Sequence, residues 1–219
     1  MTIKEILRNI YGIDEEKGLS EDDMKYFESR FGKVPDTLRE FYLLCGNNPN
    51  VINYNQDLWC TPSDYRKWTW LQKSEDFIIL NENQGVCHAF IKKEDFGKPN
   101  PPVYVRWFGV DEPPRICANS VDEFVKSFLV YEGSFGVPYF SEDFYFISEE
   151  EFDFIVNNFK EHNFKAENWM TDGEMRFFYD TPDSVICVFV DCLQMHFGAR
   201  NKETFDKLEN ILGGMGEPG

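Results

Sequence analysis

Apolar residues first recur at helical spacing at Met24, Phe27 and Phe31, positions i, i+3 and i+7 of one stripe. Ser20 and Asp23 have the form of a capping box ahead of it, and Gly32 closes it, so the pattern predicts a helix over 21–31. Pro35 then stands near the first position of a second helix, where its missing N–H costs nothing. Leu38, Phe41, Tyr42 and Cys45 form its apolar stripe and Gly46 ends it, predicting a helix over 35–45. From 77 the period changes to 2. Val86, His88 and Phe90 share one face and Cys87, Ala89 and Ile91 the other, which predicts a β-hairpin over 77–91. Residues 57–62 read as an extended piece leading into a turn. Trp68 and Trp70 flank Thr69 with period 2, as at a strand edge or in a loop packed on a sheet. Strands are expected at 103–108 and 115–118. Val121, Phe124, Val125, Phe128 and Leu129 then form the inward face of a helix over 121–131, begun by Ser120 and Glu123.

The glycine-bearing run 133–138 reads as a boundary. It divides the chain into 1–136, with elements in the order α-α-β-β-β-β-α, and 137–219, in the order β-α-β-β-β-β-α. In the second part a strand over 144–147 precedes a helix opened by Ser148 and Glu151. Asp172 and Gly173 mark a hairpin turn between 166–171 and 174–179. Further strands are expected at 185–190 and 194–199, then a final helix opened by Asn201. The glycine-rich tail 213–219 is expected to fray. The fold class is α+β: an antiparallel sheet flanked by helices, then a smaller α+β unit.

Composition adds a core and a sign. The chain has 219 residues, of which 42% are hydrophobic and 17% aromatic, enough to exclude disorder. Its net charge is −17. Such a chain favours neither phosphate backbones nor anionic lipid, so neither nucleic acid nor membrane is expected as a partner. The charge is uneven, net −6 over 1–136 and net −11 over 137–219. Two readings stay open: a solvated acidic surface, or an acidic face for a basic partner. Residues 1–10 are amphipathic and lack the form of a signal peptide. The six cysteines are scattered without a Cys-x-x-Cys, and read as buried thiols of a reducing compartment. The expected location is the cytoplasm.

Candidate chemistry is sparse. His88, His162 and His196 are far apart in sequence, without metal-ligand spacing. Cys87 neighbours His88, but alternation points the two to opposite sheet faces, against a nucleophile–base pair. Phosphate-cradling and dinucleotide-binding glycine motifs are absent, as is a nucleophile elbow. No catalytic residue, cofactor or metal is therefore assigned. The acidic runs 21–23 and 149–151 fall in the first turns of predicted helices, where they complement the backbone dipole. Asp14, Glu15 and Glu16 form a loop run and are candidate partner contacts. Trp59, Trp68 and Trp70 sit in an irregular segment and join them, since tryptophan anchors many interfaces. Trp107 is expected in the core.

The blocks Val34 to Tyr42 with Cys45 to Asn48, the sheet region, and Asn119 to Leu129 together resemble the SUKH superfamily, which includes the Smi/Knr-type fungal cell-wall regulators and many bacterial proteins. The likeness covers roughly 1–133. Val34 stands for the usual Leu, Leu38 for Tyr, Gly46-Asn47 reverses an Asn-Gly pair, and the run 81–85 replaces an Asp-Gly-Gly-Asp-type turn. The resemblance implies a non-enzymatic binding role. Many bacterial members look like immunity proteins that bind and block polymorphic toxins, often nucleases, and an acidic chain suits a basic toxin domain. The alternative it implies is a regulatory scaffold of the cell-wall-regulator type.

Overall fold

A computed structural model describes residues 1–53, 57–169 and 171–219. By internal contacts the chain forms two compact units, Glu15–Val125, and Met1–Asp14 together with Lys126–Gly219. The sequence reading divided the chain after 136 instead. Helix α1 (Ile3–Ile6) opens the chain under a Thr2–Glu5 capping box and continues as a π-helical turn over Leu7–Tyr11.

In the unit Glu15–Val125 the first two predicted helices form almost as read: α2 (Glu21–Phe31), capped by Ser20, and α3 (Asp36–Cys45), after Pro35. Three short helices follow, α4 (Pro49–Ile52), α5 (Pro62–Lys67) and α6 (Thr69–Lys73). They replace most of the irregular stretch expected there. In particular Trp68 and Trp70 do not continue a strand: Trp68 ends α5 and Trp70 lies within α6. Thr61 starts α5 by a capping box with Asp64, with Pro62 at the first position.

Five strands form an antiparallel meander in chain order: β1 (Leu58–Trp59), β2 (Phe77–Asn81), β3 (Cys87–Ile91), β4 (Val103–Trp107) and β5 (Arg115–Ala118). His88 pairs with Arg106 and Phe90 with Tyr104, so these four share one face. A bulge interrupts β2 between Ile78 and Leu80. Beside it the Tyr65 hydroxyl accepts from the Ile78 amide at 2.7 Å and donates to the Ile78 carbonyl at 2.9 Å. The core is aromatic. Phe31 stacks on Phe77 at 4.4 Å, Phe27 meets Tyr42, Tyr65 and Phe77, and Trp59 sits between Phe41 and Phe124.

Helix α7 (Val121–Gly136) runs into the segment 133–138 read as a boundary. Gly133 is not a hinge: a Cβ there would lie 2.5 Å from Ile10 Cγ2, so the glycine permits close packing of the N-terminal turn. The Tyr11 hydroxyl donates to the Leu129 carbonyl at 2.7 Å in the same place. The rest of this unit comprises β6 (Tyr139–Phe140), β7 (Tyr145–Phe146), α8 (Glu149–Asn158), β8 (Lys160–Glu161), β9 (Ala166–Glu167), β10 (Glu174–Tyr179), β11 (Ser184–Phe189), β12 (Gln194–Ala199), α9 (Lys202–Leu212) and β13 (Glu217–Pro218). The sheet order is β13-β7-β12-β11-β10-β8, with β6 also on β12 and β9 on β10. Ile155, Phe178, Ile186, Val188, Phe197, Leu208 and Leu212 are among the residues of its core. The tail expected to fray is instead paired: β13 lies antiparallel to β7, and Gly219 N–H donates to the Phe144 carbonyl at 2.7 Å. Among the described residues, no helix is long and apolar enough to cross a membrane.

Candidate functional site

Of the candidate contact residues, the structure brings two together and removes one. Trp68 and Trp70 are 39% and 37% exposed, and their rings meet edge-on at 6.3 Å. Trp59 is fully buried between Phe41 and Phe124, so it cannot touch a partner; it belongs to the core. Its strand β1 pairs with β2 at Leu80, which turns the indole inward. Asp14, Glu15 and Glu16 are exposed and lie on a separate stretch, 12–20, that has neither helix nor strand. Trp107 is half-buried at the end of β4.

The turn that carries Trp68 and Trp70 is held rigidly from below. Leu71 is buried, and the Arg30 guanidinium donates to the carbonyls of Leu71, Gln72 and Ser74 at 2.8, 2.5 and 3.1 Å. Gln72 Nε2 donates to the Arg66 carbonyl at 2.7 Å. One cation therefore gathers three carbonyls at the end of α6, the first of which also accepts from the Ser74 N–H. Lys67 Nζ lies 5.8 Å from the Trp68 ring, within cation–π range.

The aromatic surface continues onto the sheet. Trp70 and Phe108 both pack on the His88 ring, at 6.2 and 4.9 Å between centroids. Phe108 is 47% exposed, and its amide donates to the Val86 carbonyl; Val86 and Val110 are exposed too. The sequence reading missed this surface: it placed Phe108 at the end of a strand over 103–108 and Val86 on a face of the 77–91 hairpin, and gave Val110 no role. The glycine at 109, with φ +75°, was the available signal that the strand ends at Trp107.

Burial holds the three histidines neutral and four of the cysteine thiols protonated. Burial and the Arg106 charge lower the pKa of His88 to about 4. Burial likewise lowers His162 and His196 to about 4. His196 Nε2 donates to the Ser134 carbonyl at 3.1 Å, which leaves Nδ1 to accept from the Ser141 hydroxyl at 2.9 Å: a neutral, structural histidine. Burial pushes the Cys87 thiol up to about 12 and holds Cys45, Cys60 and Cys187 still higher. Among the described residues, no three His, Cys, Asp or Glu side chains gather as they would to hold a metal ion. The arrangement offers aromatic contact area and charge rather than an activated nucleophile.

No curated protein and no solved structure matches the chain. A family model does, over residues 18–127, nearly the span of the compact unit Glu15–Val125 and the part that carries the Trp68–Trp70–Phe108 surface. That match extends over half of the sequence, and with the helical pair, the antiparallel meander and the start of α7 it establishes that the chain belongs to the SMI1 / KNR4 family (SUKH-1).

Proposed function

We propose that the chain is a non-enzymatic protein-binding module of the immunity type, which binds a basic toxin domain, such as a nuclease, and neutralises it in the cytoplasm. The observation that carries this reading is the pairing of a net charge of −17 with two adjacent exposed tryptophans on a SUKH domain. Charge of one sign steers a partner of the other and raises the encounter rate. Exposed tryptophans hold what has been steered in, because few residues bury as much area on contact. The neutral buried histidines and protonated thiols support a role without catalysis.

The test is binding of the full chain to a toxin encoded beside it, together with survival of cells that express both. Capture of the toxin and rescue of growth are the expected results. Capture of a cell-wall-synthesis component, with no rescue, would favour the regulatory scaffold instead. Reversing Asp14, Glu15 and Glu16 to lysine should slow association. Trp68→Ala and Trp70→Ala should instead speed dissociation.

A further inference from the structure

The charge around the two tryptophans is opposite to that of the molecule. Residues 66–73 contain Arg66, Lys67 and Lys73 and no acid, in a chain that carries 39 Asp and Glu against 22 Lys and Arg. The acids nearest in sequence are already engaged: Asp64 caps α5, Glu75 pairs with Lys93 and Asp76 with Arg106. Arg66 is paired with Asp23. Lys67 and Lys73 are exposed, and neither has a carboxylate among the ion pairs of the described residues. The stretch that carries the two tryptophans is thus locally basic in sequence, although Asp111 and Glu112 follow on the exposed loop beyond Phe108.

A second feature points the same way. His88 is 3% exposed and lies behind both Trp70 and Phe108, yet neither of its ring nitrogens has a hydrogen-bond partner. Buried polar atoms are nearly always satisfied, so such an orphan needs an explanation. A partner group inserted between the indole of Trp70 and the ring of Phe108 would supply the missing hydrogen bond.

We infer that the surface formed by Trp68, Trp70 and Phe108, flanked by Lys67 and Lys73 and backed by His88, seats a partner segment in which an apolar or aromatic side chain stands beside one or more carboxylates. The apolar side chain covers the indoles, the carboxylates face the two lysines, and a polar group reaches His88. The turn is already fixed by Arg30, so little ordering cost opposes binding. This rests on the reading of Trp68 and Trp70 as a contact surface and not on the identity of the toxin. A partner of basic net charge can still carry this acidic segment locally, with long-range steering left to the rest of the acidic surface.

The experiment selects a phage-displayed library of random twelve-residue peptides on the full chain, then titrates the enriched peptides, as synthetic material, onto the ¹⁵N-labelled protein. The expected result is enrichment of Asp or Glu beside Phe, Trp or Leu, with shifts of the Trp68 and Trp70 indole N–H signals. Affinity should fall at least tenfold in Trp70→Ala. It should fall similarly in Lys67→Glu/Lys73→Glu, whose exposed positions leave the fold intact by circular dichroism. Enrichment of basic peptides, no enrichment, or affinity indifferent to the lysine reversals would overturn the inference. So would concentration-dependent self-association abolished by Trp70→Ala, which would make a second copy the occupant. Peptide binding without toxin binding would overturn the proposed function and leave this inference standing; the reverse outcome would do the opposite.

Discussion

Three buried histidines make stability sensitive to mild acid. In the unfolded chain a histidine titrates near about 6.5. In the fold, His88, His162 and His196 stay neutral down to about 4. Above the unfolded value neither state binds the proton and pH has no effect through these groups. Between about 6.5 and 4 the unfolded state binds more protons, so stability falls as pH falls, by up to roughly 3 kcal/mol for each histidine. Urea denaturation at pH 7 and pH 4.5 should show that loss, and His196→Gln, which keeps a donor for the Ser134 carbonyl, should lessen it. Arg30 gives a second prediction. Arg30→Ala removes a donor from three carbonyls at the end of α6, of which Leu71's keeps the Ser74 N–H, and should cost about 1–3 kcal/mol, with weaker partner binding, read by thermal melting and titration. Trp59 and Trp68 show where sequence reasoning stops at this scale. Both stand in a stretch without sustained period, so nothing in the pattern told the buried indole from the exposed one. Trp59→Ala should cost about 3–5 kcal/mol, the loss expected of a filled core site, against at most about 1 kcal/mol for Trp68→Ala.

At the scale of elements, what carries its own start and stop signals was legible. Helix α2 has Ser20 before it and Gly32 after it, and its ends match the reading. Strands β11 and β12 came from unbroken apolar or alternating runs. Helices α5 and α6 are too short to show a 3.6-residue period, although the Thr61–Pro62–Asp64 cap was present in the sequence to be read. Strand β13 could not be read at all, because a glycine-rich tail has no side-chain pattern, and its pairing depends on an edge supplied by distant β7. The exposed site was the least legible part, since it combines α6 with the far end of β4. Glu151 joins two of these themes: one oxygen accepts from the Ser148 amide and the other from Gly216 N–H, so a single carboxylate caps α8 and anchors the tail. Glu151→Ala should therefore lower the melting temperature more than Glu150→Ala, by an amount equivalent to about 1–2 kcal/mol. It should also raise hydrogen exchange at Gly216. On β12, Gly198 faces Val137 Cγ2 and the Tyr139 carbonyl, where a Cβ would come within 2.6 and 2.9 Å. Gly198→Val should overpack that site and cost about 1–3 kcal/mol or more, measured by denaturant midpoint.

At the scale of the whole molecule, the proposed function makes charge the governor of encounter. With a screening length of about 8 Å at physiological salt, the association rate with a basic partner should fall steeply as salt is raised, while dissociation changes little. A stopped-flow series across ionic strength would show this, and a flat association rate would remove steering from the account. The route of the chain has a different consequence. Residues 1–14 belong with 126–219, and Ile10 and Tyr11 pack at Gly133 and Leu129. At roughly 5–20 residues added per second, residues 3–10 are made on the order of ten seconds before the last of the strands that complete their unit. During that interval Ile3, Ile6, Leu7 and Ile10, all buried at the end, lack the strands that complete their unit. The unit that holds these four residues therefore closes only once its last strands exist, and a chain cut short before β12 should aggregate more readily than the full one.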